Sequence, residues 1–88
     1  MPIDSTKSRA ILVADLEALR AVEATPLLGQ VIEAAKRGAY GDFTSNDACP
    51  RLNLDFHMRD VARELKTAPG VSMAKMIVEA NMSGKYDD

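Results

Sequence analysis

The chain has 88 residues, of which 47% are hydrophobic and 27% are charged, and its formal net charge at pH 7 is −2. A chain this short has room for one hydrophobic core, so we expect a single domain over residues 1–88. The nearly balanced charge argues against strong attraction to a nucleic-acid backbone, and no stretch approaches the roughly 20 apolar residues that cross a bilayer.

Cysteine usage and the first residues bear on the compartment. Cys49 is the only cysteine, so no disulfide can form within the chain and a reducing compartment is the simplest expectation. Residues 1–9 are polar, and the apolar segment of a secretory signal does not follow them. We therefore predict a cytoplasmic protein without a membrane anchor.

Apolar residues recur at intervals of three and four in four stretches of the chain, which is the periodicity of amphipathic helices. These stretches cover residues 8–23, 26–37, 50–66 and 72–82. The pattern predicts an all-α fold, a four-helix domain.

Residues at the predicted helix ends support these boundaries. Thr25 can cap the second helix, and Pro26 suits its first position because proline's missing N–H is not needed there. Gly38 can adopt the left-handed conformation just past the end of that helix. Residues 67–70 contain a proline and a glycine that interrupt the pattern, so Ser72 is the predicted cap of the fourth helix.

The chain is similar to itself at an offset of 46 residues. This offset places Gly38, Tyr40 and Asp42 over Gly84, Tyr86 and Asp88. We therefore predict an internal repeat of residues 1–42 and 47–88, which would form two related helical hairpins that close one core.

The shared Gly-x-Tyr-x-Asp signature has two explanations. In the structural one, the glycine ends a helix and the tyrosine covers its last turn. In the functional one, the two copies and the polar loop before the third helix contact a protein partner, since interfaces favour aromatic anchors. The candidate partner-binding residues are Tyr40, Asp42, Phe43, Asn46, Asp47, Tyr86 and Asp88.

Four of the five methionines, Met58, Met73, Met76 and Met82, fall at helical spacings. We expect them in the core, because methionine fills irregular gaps between other apolar side chains. The alternative is that some of them form an adaptable binding face on the fourth helix.

No pattern typical of a catalytic, cofactor or metal site is present. Cys49 and His57 are close in sequence, but a helix that starts at Pro50 separates them by about two turns, which does not favour a nucleophile and base pair. A metal site formed by these two residues and Asp47 meets the same difficulty. We predict no enzyme, no cofactor and no metal, and leave the role of Cys49 and His57 open.

Residues 60–82 resemble the helix-turn-helix of bacterial repressors. That family usually places its turn glycine four residues after an alanine, whereas Gly70 lies eight residues after Ala62, so the turn reads as too long. The would-be recognition helix offers Lys75 and Asn81 but otherwise few side chains that read bases. A DNA-binding transcriptional regulator is the alternative function.

The segment 37–50 resembles small helical proteins encoded by bacteriophages and prophages. The residues that carry the resemblance are Gly38, Tyr40, Asp42 and Phe43, followed by Cys49 and Pro50. It implies an accessory protein that binds and inhibits a host protein, such as a component of antiviral defence. We therefore expect a non-enzymatic protein-interaction module with a protein partner, and a homodimer is a further expectation for so small a core.

Overall fold

The computed structural model describes residues 5–38, 40 and 49–86, and at 5–8 and 49–52 it describes the backbone only. Within this part of the chain there are four helices and no strand: α1 (Ser5–Val22), α2 (Pro26–Lys36), α3 (Cys49–Glu64) and α4 (Ala68–Ser83). The prediction of an all-α, four-helix domain is confirmed.

The four helices pack as a closed ring. Each helix contacts the next one along the chain, and α4 returns to contact α1, while the described residues show no diagonal packing between α1 and α3 or between α2 and α4. Glu23, just past the end of α1, contacts the start of α4, and Glu64 at the end of α3 lies near the start of α2. Neighbouring helices therefore run antiparallel, as in a four-helix bundle.

The core lies along the inner faces of all four helices. Its buried members are Leu12, Leu16, Leu19, Leu28, Val31, Ile32, Ala35, Tyr40, Leu54, Met58, Val61, Leu65, Ala74, Ile77 and Tyr86. Full burial of one leucine or isoleucine is worth about 1.5–3 kcal/mol, so this set is the main source of stability for the domain.

The ends of α2 follow the sequence signals. The side-chain oxygen of Thr25 accepts a hydrogen bond from the N–H of Leu28 at 3.1 Å, and Pro26 occupies the first helical position. Gly38 follows the helix with φ of 83°, a left-handed conformation that glycine adopts without steric cost. The predicted cap, start and terminating glycine are all confirmed.

The start of α4 corrects the predicted boundary. The helix begins at Ala68 and its cap is Thr67, whose side-chain oxygen accepts from the N–H of Gly70 at 3.1 Å; Ser72, the predicted cap, lies inside the helix. Pro69 is tolerated because the N–H groups of the first turn have no partner within the helix. Pro69 and Gly70, which were predicted to interrupt the helical pattern, therefore belong to the first turn of α4.

The remaining boundaries differ by one to three residues. α2 ends at Lys36 rather than at 37, and α4 ends at Ser83 rather than at 82. α1 begins at Ser5 rather than at residue 8 and ends at Val22 rather than at 23. α3 starts one residue before the predicted 50 and ends at Glu64 instead of 66, because the N–H of Lys66 donates to the side chain of Glu23 and not to a helix carbonyl.

The two halves of the chain share some features at their helix ends. Gly38 and Gly84 both have positive φ, at 83° and 93°, and each precedes a buried tyrosine. The hydroxyl of Tyr40 reaches α3, and the hydroxyl of Tyr86 reaches α1. The two capping threonines are 42 residues apart rather than 46, because α4 has 16 residues and α2 has 11. The repeat itself stays a prediction.

Candidate functional site

A groove of about 500 Å³ lies on the surface between α1 and α4. We call it the methionine groove and define it by the residues that line it: Asp15, Ala18, Met73, Met76, Ile77, Glu79, Ala80, Ser83, Lys85 and Tyr86. Its lining is mainly apolar and carries charged side chains from both helices and from the turn after α4. Apolar surface with a few charged groups at its margin is the usual composition of a binding groove.

Two methionines of α4 are exposed instead of lying in the core. The exposed fraction is 63% for Met76 and 55% for Met82, whereas Met58 of α3 is fully buried and Met73 is half-buried. The prediction of a methionine core is therefore wrong for Met76 and Met82, and their exposure favours the alternative of an adaptable face on this helix. Methionine repacks easily against varied apolar side chains, because its chain is unbranched and its sulfur is polarisable.

Three of the side chains that line the groove form a hydrogen-bonded cluster between α1 and the turn after α4. Oδ2 of Asp15 accepts hydrogen bonds from the hydroxyl of Tyr86 at 2.8 Å and from Nζ of Lys85 at 3.0 Å. Burial of the ring, the hydrogen bond to Asp15 and the negative charge of Asp15 all raise the pKa of Tyr86. Tyr86 is therefore a neutral donor at physiological pH and joins the end of α4 to the middle of α1.

Among the charged residues that line the groove, Glu79 adds a negative charge. Asp15 and Lys85 form a direct ion pair, so their charges compensate each other. Glu79 is exposed on α4 and forms no ion pair with any residue that the structure describes. A molecule that enters the groove would therefore meet one carboxylate that has no cation of its own.

At the opposite end of α4, Glu23 occupies the helix N-terminus. Its carboxylate accepts from the N–H groups of Lys66 and Thr67 at 2.8 and 3.0 Å and from the hydroxyl of Thr67 at 2.7 Å. These hydrogen bonds lower the pKa of Glu23, and the bond from the Thr67 hydroxyl has the largest effect. A helix N-terminus attracts anions, and here the protein's own carboxylate fills that position.

Two of the candidate contact residues, Tyr40 and Tyr86, lie in the described part of the chain, and neither is exposed there. Tyr40 and Tyr86 have exposed fractions of 2% and 0%, so both rings lie in the core. This burial favours the structural explanation of the Gly-x-Tyr-x-Asp signature, in which the tyrosine covers the end of its helix. The other candidates, Asp42, Phe43, Asn46, Asp47 and Asp88, lie outside the described residues.

His57 pairs with Tyr40 across the boundary between α2 and α3. The Tyr40 hydroxyl and Nδ1 of His57 are 2.5 Å apart, and the two rings meet edge-on with centres 5.5 Å apart. Nδ1 of His57 is therefore engaged in a hydrogen bond, and its ring packs against the ring of Tyr40. The side chain of Cys49 lies outside the described part, and within that part no three histidine, cysteine, aspartate or glutamate side chains are grouped to hold a metal ion.

Sequence reasoning missed Asp15, Ala18 and Lys85 as site residues. A carboxylate and an alanine on the surface of a helix are common and carry no signal of their own. The one available clue was Tyr86, because a buried phenol hydroxyl needs a polar partner from another element. Which element supplies that partner depends on how the helices pack.

No protein family, no curated protein and no solved structure matches this chain. None of the helices in the described part is long and apolar enough to cross a bilayer. The role of the methionine groove is therefore inferred from its own residues.

Proposed function

We propose that this protein is a non-enzymatic interaction module that binds a helix of a partner protein in the methionine groove. The observation that carries the proposal is the exposure of Met76 at the edge of an apolar groove between two helices. Exposing apolar surface to water is unfavourable, and contiguous exposed patches on small proteins commonly mark interaction sites.

The groove favours an amphipathic helix as its occupant. Helices bind in such grooves through apolar side chains spaced three and four residues apart, which methionine side chains accommodate by repacking. Glu79 adds a preference for lysine or arginine on the bound helix, because opposite charges across an interface favour the correct partner. The partner segment is therefore a basic amphipathic helix.

A host protein is the partner we propose, and inhibition is the effect. The resemblance of residues 37–50 to phage and prophage proteins supports this choice. Occupation of the groove would block the partner if its helix is one that the partner needs for its own contacts, as in a component of antiviral defence.

The alternative, a DNA-binding regulator, has one observation in its favour. Only residues 65–67 separate α3 from α4, a length that suits a helix-turn-helix, so the predicted overlong turn is wrong. Against it, the exposed residues of α4 include one cation, Lys75, beside Glu79 and two methionines. The carboxylate of Glu23 also occupies the N-terminus of α4, where a DNA phosphate would otherwise bind.

The experiment compares two peptides and two variants. The peptides are amphipathic helices of about 15 residues, one with leucine and lysine and the other with leucine and glutamate. The variants are Ala18→Gln, inside the groove, and Ala10→Gln, at an exposed position of the same helix outside it; neither changes the net charge. Fluorescence anisotropy gives the affinities, and a gel-shift assay at low salt with the upstream region of the gene tests the DNA-binding alternative.

We expect the basic peptide to bind in preference to the acidic one. Ala18→Gln should weaken that binding by about tenfold, because its amide would be buried against apolar side chains, while Ala10→Gln should leave it unchanged. Equal binding by both variants would show that the basic peptide associates through net charge and would contradict the groove. A host protein captured by the native chain should be lost with Ala18→Gln and retained with Ala10→Gln.

A further inference from the structure

The outer side of α4 forms an exposed ridge of mixed character. Its exposed members are Ser72, Lys75, Met76, Glu79, Met82 and Ser83. Lys75 and Glu79 are four residues apart, a spacing at which opposite charges on one helix commonly pair. They form no ion pair with each other or with any other described residue.

We propose that this α4 ridge binds a second copy of the chain. The two α4 helices would run antiparallel, and the two-fold axis between their exposed sides would lie at the level of Ile77 along each helix. In such a pairing, a residue two positions before the axis lies opposite the residue two positions after it. Lys75 of each copy then faces Glu79 of the other copy, so one contact repeated twice satisfies both charges. Met76 of each copy lies next to the axis, where its exposed side chain is covered.

The charge arrangement is what selects a second copy as the occupant. A two-fold interface places the same surface on both sides and therefore requires a surface that complements itself. A cation and an anion placed symmetrically about one point on a helix meet this requirement, and a ridge with one sign of charge does not. The two methionines, 63% and 55% exposed, supply the apolar part of the contact.

The ridge is small, so the dimer should be weak and reversible. It shares Met76, Glu79 and Ser83 with the methionine groove, and a second copy and a partner helix would therefore compete for α4. The inference does not depend on the proposed function, because self-association is measured without any partner.

The test uses charge reversal and mixing. Lys75→Glu gives a chain with two carboxylates at the paired positions, and Glu79→Lys gives a chain with two ammonium groups. Analytical ultracentrifugation measures the association of wild type, of each variant alone, of their equimolar mixture and of the double variant K75E/E79K. Arg20→Glu is the control, because it makes the same charge change as Lys75→Glu on the exposed surface of α1.

We expect wild type and Arg20→Glu to dimerise with equal affinity. Each single variant alone should associate about tenfold more weakly or not at all, because like charges face each other across the axis. The mixture and the double variant should dimerise again, which a folding defect could not produce. The proposal is overturned if wild type stays monomeric up to about 1 mM, if the single variants dimerise as wild type does, or if mixing restores nothing. Peptide binding by the Ala18→Gln variant is measured separately, so a failure of the dimer proposal would leave the groove proposal intact.

Discussion

The carboxylate of Glu23 lies directly against Gly70 in the first turn of α4. A Cβ atom at residue 70 would stand 2.6 Å from Oε1 of Glu23 and 2.9 Å from Oγ1 of Thr67. The missing side chain at Gly70 is therefore what lets the end of α1 approach and cap α4. This contact joins the end of α1 to the start of α4.

Gly70→Ala should destabilise the protein through Glu23. The added methyl group would displace the Glu23 carboxylate from the N–H groups it accepts from, and this loss opposes the gain of about 1 kcal/mol in helix propensity when alanine replaces glycine. In a Glu23→Ala background the same substitution should cost less, because the displaced carboxylate is gone. Urea unfolding of the four proteins measures this difference.

Gly29→Ala is the matched control for Gly70→Ala. A Cβ at Gly29, also within a helix, would meet no atom within 4 Å. We expect this substitution to raise the free energy of unfolding by about 0.5–1 kcal/mol. Equal effects at the two glycines would show that Glu23 does not set the requirement at residue 70.

Because Glu23 caps α4 as a carboxylate, the free energy of unfolding should decrease in acid. The hydrogen bonds of the carboxylate lower the pKa of Glu23 in the folded state. As pH falls, the carboxylate of Glu23 is therefore protonated in the unfolded chain before it is protonated in the folded chain. The stabilisation is present above the usual glutamate pKa of about 4.3 and is lost as pH falls through the lowered folded value. Glu23→Gln should therefore have a lower urea midpoint than wild type at neutral pH, and the gap should close in strong acid. A gap that is constant with pH would contradict the charged cap.

Removal of the Tyr86 hydroxyl should cost more than removal of the Tyr40 hydroxyl. Tyr86 donates to the ionised Asp15, and hydrogen bonds to charged groups contribute about 1.5–3 kcal/mol. Tyr40 pairs with His57, which is exposed and can form a hydrogen bond with water instead. Removal of the Tyr40 hydroxyl should therefore lower the free energy of unfolding by about 1 kcal/mol. Urea unfolding of Tyr86→Phe and Tyr40→Phe measures the order, and the reverse order would show that Asp15 does not hold the end of α4.

The buried tyrosines should also make the fold sensitive to alkali. Burial raises the pKa of both Tyr40 and Tyr86, so above about pH 10 the unfolded chain loses these protons while the folded chain keeps them. Stability is complete below that pH and falls as pH rises. Tyr86→Phe should make the decline shallower, and an identical slope in wild type and variant would contradict the shift at Tyr86. Unfolding followed by circular dichroism between pH 8 and pH 11 gives both slopes.

Local sequence signals were sufficient for the four helices and for most of the core. Helical periodicity depends on residues within a turn or two of each other, and so do the cap at Thr25 and the left-handed Gly38. These features could therefore be predicted from the chain alone. The candidate site could not, apart from the alternative that methionines of the fourth helix form a binding face.

Contacts between distant residues decided the rest. Pro69 and Gly70 are compatible with a break or with the first turn of a helix, and Glu23, 44 residues before Thr67, selects the first turn. Periodicity indicates which side of α4 is apolar but not how much of that side its two neighbours cover, so the exposure of Met76 emerges only when α1 and α3 are in place. The sequence by itself determined the helices because their hydrogen bonds are local, whereas the groove and the cluster of Asp15, Lys85 and Tyr86 exist only where α1 and α4 meet.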